Sequence, residues 1–317
     1  MTKRTALVLG ATGGVGGAIA AALKRHGWRV RATVRDPARL SAEDRALGYD
    51  WVTGDAMDAP SIARAAEGVA VLVHAVNPPG YQNWAGTVLP MIDSSIAAAR
   101  AAGARIVLPG TIYNYDPART PVIDADTPPH PTGEKGRIRV ELEGRLEAAS
   151  TDVPVLILRA GDFFGPGVRS SWFAQALVRP GTPVRRLINP GKGVGHSWAY
   201  LPDLAETFAR LLDAADKLAP FERVQFEGVW DPDGWRMPAA IAAAAGKARL
   251  PEWQFPWWAM RMLAPFGGFP AAVVEIEHFW RHPARLDNRR LVALLGEEPR
   301  TPLPEAVRAT LVSMGSL

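Results

Sequence analysis

Close to its start the chain reads Leu7-Val-Leu-Gly-Ala-Thr-Gly-Gly-Val-Gly-Gly17, where a short apolar run passes through glycines directly into an alanine-rich segment. Glycines three residues apart would supply a tight turn after a strand, bare backbone against a phosphate, and close contact between helix and strand. The N–H groups that begin the following helix bind anions. The stretch therefore predicts a dinucleotide-binding turn, and a glycine-rich turn without a ligand is the alternative. The residues expected at the pyrophosphate are Gly10, Thr12, Gly13, Gly14, Val15 and Gly16.

Strand-like and helix-like runs alternate through the first half of the chain, which is typical of βαβ units in a parallel sheet. Strands are predicted at 6–9, 29–34, 50–52, 70–76, 105–108 and 155–158, and helices at 14–25, 61–67, 89–102 and 135–149. Later turn signals break the chain into shorter pieces, with a helix at 202–213, a strand at 221–227 and mostly helix from residue 238. We predict an α/β fold: a Rossmann-type, doubly wound parallel sheet in residues 1–160 and a small mixed, mainly helical lobe in residues 161–317, interleaved near 161–230.

The amino-acid composition limits the classes of function that we expect. The 317 residues are 48% hydrophobic and include no cysteine, so we expect a large core, no thiolate chemistry and a cytoplasmic location. The six histidines are scattered, and no metal site is expected. The net charge of +4 comes from single arginines, which favours an anionic cofactor over nucleic acid. The aromatic run at 255–280 is interrupted by arginine, glycine and proline, so no membrane span is predicted.

The end of the second strand indicates which cofactor is used. It reads Thr33-Val-Arg-Asp36, and Arg35 suits the 2′-phosphate of NADP. Asp36 is the competing signal for NAD, but it precedes a proline and is better interpreted as a helix cap. We therefore expect NADP, with NAD less favoured. Asp55, followed by Ala56 after the third strand, is either a partner of the adenine amino group or a turn aspartate.

The fourth strand ends in His74-Ala-Val-Asn77. Because ligands of doubly wound sheets lie beyond the carboxyl ends of the strands, Ala75, Val76 and Asn77 are expected beside the nicotinamide ribose. His74 lies inside an apolar run and is interpreted as a core histidine. Tyr81 and Trp84 follow, either lining a substrate pocket or packing against the lobe.

Four motifs follow one another along the chain: Gly10-Ala-Thr-Gly-Gly-Val-Gly16, His74-Ala-Val, Arg159-Ala-Gly-Asp-Phe-Phe-Gly-Pro-Gly167 and Tyr200-Leu-Pro-Asp-Leu-Ala205. In this order they resemble the extended short-chain dehydrogenases/reductases, and more narrowly the NAD(P)-dependent epimerase/dehydratase branch. The tail from Arg285 to Thr301 is also similar, so the resemblance covers nearly the whole chain. It implies nicotinamide chemistry on a small molecule.

That family combines a Ser/Thr with Tyr-x-x-x-Lys, in which lysine assists the tyrosine and holds the nicotinamide ribose. The resemblance places Thr111 at the Ser/Thr position and gives Lys135 the ribose, with Arg137 as the rival and a solvated lysine as the alternative. However, the helix start reads His130-Pro-Thr-Gly-Glu-Lys-Gly-Arg137, with no tyrosine four residues before either cation. The chain departs from the family at the residue that defines its chemistry.

Three explanations compete for the absent tyrosine. Tyr113 or Tyr115, which follow the fifth strand, could supply the proton; Asp162 or His196 could do so; or the protein could bind NADP without reducing anything. The resemblance also places Gly161 and Phe163 at the nicotinamide, and Asp162 and Phe164 at the substrate. His196 lies in a loop of the kind that often faces substrate, and buried packing that supports the lobe is the favoured alternative. Phenylalanine replaces the tyrosine that the sugar-nucleotide enzymes carry here, which makes a sugar-nucleotide pocket less certain.

Together these features predict an NADP(H)-dependent oxidoreductase that acts on a small-molecule carbonyl or alcohol and lacks the usual Tyr-x-x-x-Lys. A non-catalytic NADP-binding regulatory protein and a sugar-nucleotide epimerase/dehydratase are the alternatives. The tryptophan-rich tail suggests an apolar or flat substrate cavity or a dimer surface, and ordinary core packing is the favoured interpretation. A homodimer is a further expectation.

Overall fold

The protein is described here from a computed structural model that covers residues 4–78, 84–168 and 171–317. The strands are β1 (Thr5–Leu9), β2 (Arg29–Val34), β3 (Asp50–Thr53), β4 (Val71–His74), β5 (Arg105–Gly110), β6 (Val122–Ile123), β7 (Val155–Arg159), β8 (Asp162–Phe164), β9 (Leu187–Asn189), β10 (His196–Tyr200), β11 (Phe221–Gln225), β12 (Val229–Asp231), β13 (Glu252–Gln254) and β14 (Arg285–Leu286).

The helices are α1 (Gly14–Arg25), α2 (Ala42–Ala46), α3 (Ala59–Ala65), α4 (Trp84–Ala102), α5 (Glu134–Ala149), α6 (Leu201–Asp213), α7 (Arg236–Ala244), α8 (Trp257–Leu263), α9 (Gly268–Val274), α10 (Arg289–Leu295) and α11 (Leu303–Ser313). Short helical turns lie at Pro37–Arg39, Ile112–Asn114, Phe173–Leu177, Ala215–Lys217, Ala264–Phe266 and Glu277–Trp280.

A seven-stranded sheet with the order β11-β7-β5-β4-β1-β2-β3 organises the first half of the chain. The pairs β1–β2, β1–β4, β2–β3 and β4–β5 run parallel, and Leu7 lies opposite Arg31 on one side and Leu72 on the other. The order reverses between β1 and β4, which is the switch point at which ligands of such sheets bind. The predicted doubly wound parallel sheet is confirmed.

Both faces of this sheet are covered. Leu7 and Leu9 pack into a core that includes side chains of α3, α4 and α5, while Ala6 and Val8, which point to the other face, are equally buried. This explains why the strands read as continuous apolar runs instead of alternating.

The chain forms two compact units. The first comprises residues 1–110, 137–158 and 205–224 and contains the seven-stranded sheet. The second comprises residues 111–136, 159–204 and 225–317, with a three-stranded sheet of order β12-β10-β8, the pairs β13–β9 and β14–β6, and a helical C-terminal part. Its main core is rich in aromatic side chains, among them Trp198, Trp257 and Trp280. The domain boundary at residue 160 stays a prediction.

Most elements of the first half match the predicted ranges within a few residues. The fourth strand is shorter than expected and ends at His74, and the helix expected from residue 89 already begins at Trp84. The small sheets of the second unit were missed, because strands such as β9 and β13 pair across more than sixty residues and carry little periodicity of their own. Among the described residues, no helix combines the length and apolar character that a bilayer span requires.

Candidate cofactor and active site

The turn after β1 has no room for a side chain at Gly10 or at Gly16. Gly10 has a φ of +87°, and a Cβ added there would collide with the backbone carbonyl of Ala75 beyond β4. A Cβ added at Gly16 would collide with the carbonyl of Gly10. The first unit therefore needs glycine at both positions, for backbone conformation and for the close approach of β1, α1 and β4.

The start of helix α1 is open to an anion. Its N-cap residue, Gly13, makes no side-chain cap, and the first turn carries no acidic residue. The Gly13 N–H donates to the Gly10 carbonyl over 2.9 Å, which closes the turn. Thr12 and Gly14 are exposed, and Val15 is half-buried. This bare backbone at a helix N-terminus fits a pyrophosphate group.

Residues after β2 and β3 were predicted to hold the adenosine end. Arg35 is exposed at the end of β2. Asp36 Oδ1 accepts a hydrogen bond from Ala38 N over 2.9 Å, which confirms that Asp36 is a helix cap. Asp55 Oδ1 accepts from Met57 N over 2.9 Å, so this carboxylate closes a turn, and Ala56 beside it is buried. The predicted contacts of Arg35, Asp55 and Ala56 with a cofactor stay predictions.

His74 lies in the core at the end of β4, as predicted. Its Nδ1 is 2.8 Å from the Ser95 hydroxyl, and this hydroxyl donates to the Met91 carbonyl. Because the Ser95 proton is used in that bond, His74 Nδ1 carries a proton and donates it to Ser95. Burial, together with the positive charge of Arg139, lowers the pKa of His74 to about 3. His74 is therefore neutral at physiological pH.

Arg139, on helix α5, is a residue that sequence reasoning missed. Its side chain is buried, its Nη2 donates to Asn77 Oδ1 over 2.6 Å, and its guanidinium lies 5.2 Å from the centre of the Trp84 ring. Asn77 and the half-buried Ala75 and Val76 follow β4 directly. A cation is thus held at the edge of the sheet where the nicotinamide ribose was predicted. The available signal was spacing, since Lys135-x-x-x-Arg139 repeats the spacing of Tyr-x-x-x-Lys.

Lys135 binds a carboxylate of the second unit, and its predicted contact with the nicotinamide ribose stays a prediction. Its backbone N–H donates to Glu275 Oε1 over 2.7 Å, and its Nζ forms an ion pair with the same carboxylate. Both residues belong to the second unit, and the Lys135 side chain is only 9% exposed. The solvated-lysine alternative is therefore wrong, because a buried ion pair holds the ammonium. Arg137, the rival cation, is exposed on α5.

The loop after β5 contains the remaining catalytic candidates. The Thr111 hydroxyl accepts a hydrogen bond from Tyr113 N over 3.4 Å and so caps the short turn Ile112–Asn114. Tyr113 packs against Phe279, and Tyr115 is 2% exposed beneath the guanidinium of Arg159, whose Nη1 donates to the Thr111 carbonyl. Tyr115 is thus part of a small core, and Tyr113 is the more accessible of the two phenols.

Asp162 and His196 form a hydrogen-bonded pair between β8 and β10. His196 Nε2 is 2.7 Å from Asp162 Oδ2, and the imidazole stacks on Trp280 with ring centres 3.9 Å apart. A Cβ at Gly161 would collide with the Ser197 carbonyl, so glycine is required there. The structure thus brings together two of the predicted substrate residues.

Other candidates are placed as follows. Phe163 is half-buried, whereas Phe164 is wholly buried and packs against Phe173 and Tyr200. Tyr81 lies outside the described residues.

His278 and His282 are four residues apart, and this spacing suits a metal ion although the sequence did not suggest a site there. No third ligand joins the two histidines within the described part of the chain.

Comparison with known proteins supports this description. Residues 10–139 match the family model described as NAD(P)H-binding. A 3-diazoavenalumate denitrifying reductase from Streptomyces sp. is 33% identical over 180 residues, which are 51% of this chain and 57% of that protein. A short-chain dehydrogenase/reductase of Pestalotiopsis microspora is 37% identical over 99 residues, 31% of this chain and 35% of that protein. The matches thus span little more than half of the first relative and about a third of the second.

Among solved structures, UDP-glucuronic acid 4-epimerase from Bacillus cereus, in complex with UDP-glucuronic acid and NAD, superposes with a TM-score of 0.73. It is 16% identical, and the match covers 98% of this chain and 99% of that chain. The first part of the chain thus matches an NAD(P)H-binding domain, and the seven-stranded sheet has the Rossmann-type order. The chain is thus similar in part to a short-chain dehydrogenase/reductase and shares the fold of this epimerase.

Proposed function

We propose that this protein is an NADP(H)-dependent oxidoreductase that transfers a hydride between the cofactor and a carbonyl or alcohol carbon of a small molecule. The observation that carries the proposal is the edge of the sheet at the switch point. Bare glycine backbone at Gly10 and Gly16 meets the end of β4, where Arg139 is fixed by Asn77. The bare glycine backbone would bind the pyrophosphate as an anion, and the fixed guanidinium would hold the ribose.

The choice of NADP rests on Arg35. One carboxylate oxygen of Asp36, the competing acidic residue, already accepts a hydrogen bond from the Ala38 N–H. Arg35, in contrast, is exposed at the end of β2. A guanidinium can bind a 2′-phosphate through two hydrogen bonds and stack on adenine. Arg35 would therefore favour NADPH over NADH.

The bound cofactor would supply the hydride, and the residues of this chain would hold it and the substrate. Arg139 would bind the nicotinamide ribose, the role that the resemblance gave to Lys135. Thr111 would orient the substrate oxygen, since its hydroxyl keeps a proton to donate while accepting from Tyr113 N. Asp162 and His196, which form a hydrogen-bonded pair, would contact the substrate.

A non-catalytic NADP-binding protein is the second candidate. It is favoured by the helix position four residues before Arg139, which holds Lys135 where the family has tyrosine. Sugar-nucleotide epimerisation has only the likeness of fold in its favour. The reductase proposal is preferred because the Streptomyces relative, although matched over only part of its length, is named as a reductase.

Titration of the purified protein with NADPH and NADH, followed by tryptophan fluorescence, tests cofactor binding. A panel of aldehydes, ketones and one diazo compound then tests turnover, read as loss of NADPH absorbance; the diazo compound is included because of the relative's name. We expect tighter binding of NADPH and oxidation with at least one compound. Binding without any turnover would favour the second candidate, and no binding of either cofactor would contradict both.

A further inference from the structure

Glu275 occupies the space that a side chain at position 133 would need. An ideal Cβ built on Gly133 would lie 2.5 Å from Glu275 Oε1 and 2.8 Å from Glu275 Cγ. Both residues belong to the second unit, and Glu275 directly follows helix α9. Glycine at 133 therefore lets a carboxylate that is distant in sequence reach the start of helix α5.

This carboxylate holds Lys135 at two points. Oε1 accepts from the backbone N–H in the first turn of α5, and Oε2 forms the ion pair with Nζ. The first contact satisfies a helix N-terminus and places negative charge at its positive end. The second contact fixes the direction of the ammonium, which a flexible lysine side chain would otherwise not have.

The charged and titratable groups around this pair come from three segments. His278 lies one turn beyond Glu275, its Nε2 is 3.0 Å from the Thr132 hydroxyl, and Asp116 and His282 contribute to its electrostatic environment. Burial is the largest influence and lowers the pKa of His278 below its usual value. His278 is therefore neutral at physiological pH and does not compete with Lys135 for the carboxylate.

The loop after β5, which contains Thr111 and Tyr113, packs against the start of the same helix, α5. A Cβ at Gly136 would collide with the Tyr113 carbonyl, so the backbone of Tyr113 lies directly against α5 beside Lys135. Thr111 caps the turn that carries Tyr113. The proposed substrate-orienting hydroxyl and the fixed ammonium thus belong to segments that contact one another within the second unit.

We propose that Lys135 is the proton donor of the reduction and that Glu275 is its positioning residue, which together replace the tyrosine. The proposal rests on the proposed function above. With a hydride and its electron pair supplied to the carbonyl carbon by the bound cofactor, the carbonyl oxygen would take a proton from the Lys135 ammonium. An O–H bond forms, an N–H bond breaks, and the neutral amine regains a proton from water. In the oxidation direction the amine accepts the alcohol proton.

Two variants of Lys135 test this. Lys135→Arg keeps the positive charge for Glu275 but substitutes a guanidinium that does not release a proton. Lys135→Met removes the charge. With a carbonyl compound that wild type reduces, we expect both to lower kcat at least about 100-fold, in line with the loss of a general acid. NADPH affinity, measured by tryptophan fluorescence, should change by less than about threefold because Arg139 remains. Lys247→Met, at an exposed lysine of the same unit, is the control and should keep the wild-type kcat.

Glu275→Gln tests the positioning role with a readout that does not depend on the cofactor. Acylation of lysines by an amine reagent, followed by mass spectrometry of the cofactor-free protein, should find Lys135 protected relative to Lys247, and the variant should lose that protection at least about fivefold.

The outcomes separate the two proposals. A wild type that turns over together with a Lys135→Arg variant of equal kcat would overturn the role of Lys135 alone. A wild type that binds NADPH but reduces nothing would overturn the proposed function, and the proton-donor role with it. Equal acylation of Lys135 in wild type and Glu275→Gln would overturn the positioning role.

Discussion

The guanidinium of Arg139 donates a hydrogen bond to Asn77 Oδ1 over 2.6 Å, and this bond ties helix α5 to the end of β4. Charge-assisted bonds of this kind are short and directional. Arg139 is therefore fixed at the edge of the sheet at which doubly wound proteins bind the nicotinamide end of their cofactor.

Replacing Arg139 tests that placement. Arg139→Met should weaken NADPH binding about tenfold or more, since hydrogen bonds to charged groups contribute about 1.5–3 kcal/mol. Arg145→Met is the matched control: this arginine lies on the same helix but pairs with Asp93 and Glu141 at the surface. Its dissociation constant by tryptophan fluorescence should stay within twofold of wild type. Equal weakening by both variants would mean that Arg139 acts only through the helix.

The glycine turn provides a second prediction with its own control. Gly10 and Gly27 have nearly the same φ, +87° and +82°, but a Cβ at Gly10 collides with Ala75 whereas one at Gly27 meets open space. Alanine at Gly27 should cost about 1 kcal/mol of unfolding free energy from backbone strain alone. Gly10→Ala should cost more and should abolish NADPH binding. Urea unfolding measures the loss of stability, and cofactor titration measures the loss of binding. Retained binding in Gly10→Ala would contradict the proposal that the glycine turn after β1 holds the pyrophosphate.

Cofactor choice is tested at the end of β2. Arg35→Ala should lower the affinity for NADPH about tenfold and leave that for NADH unchanged, because only NADPH carries the 2′-phosphate. Arg39→Ala, at an exposed arginine that faces Asp36 over 3.9 Å, is the comparison and should change neither affinity. Calorimetric titration with both cofactors decides the matter. A parallel loss for NADH would show that Arg35 binds something other than that phosphate.

His74 predicts a pH dependence of stability. Burial is the main cause that lowers the pKa of His74 from its ordinary 6.5 to about 3. Between these two pH values the imidazole is therefore protonated in the unfolded chain but neutral in the folded protein. Stability should fall with decreasing pH between 6.5 and 3, and by pH 5 this residue should account for about 2 kcal/mol.

Substitution isolates this contribution. His74→Leu removes the titrating group while Ser95 keeps its bond to the Met91 carbonyl. Urea unfolding at pH 7.5 and pH 5 should then show a smaller loss in the variant than in wild type, while all other titrating groups contribute equally to both proteins. Identical losses would mean that His74 takes up a proton in the folded state.

The sequence by itself determined the order of strands and helices in the first half, the glycine turn after β1, the cap at Asp36 and the burial of His74. These features depend on local patterns: apolar runs set the strands, and glycine and proline mark where they end. Only the tertiary structure decided which residues the side chains of Lys135 and Arg139 contact. Lys135 binds the carboxylate of Glu275, 140 residues further along the chain, a partner that the sequence did not indicate, and its predicted contact with the ribose stays a prediction. Arg139 reaches Asn77 across 62 residues. Contacts at such separations in sequence arise from the packing of whole helices and strands. The periodicity within one helix or strand does not indicate which distant residue it will contact.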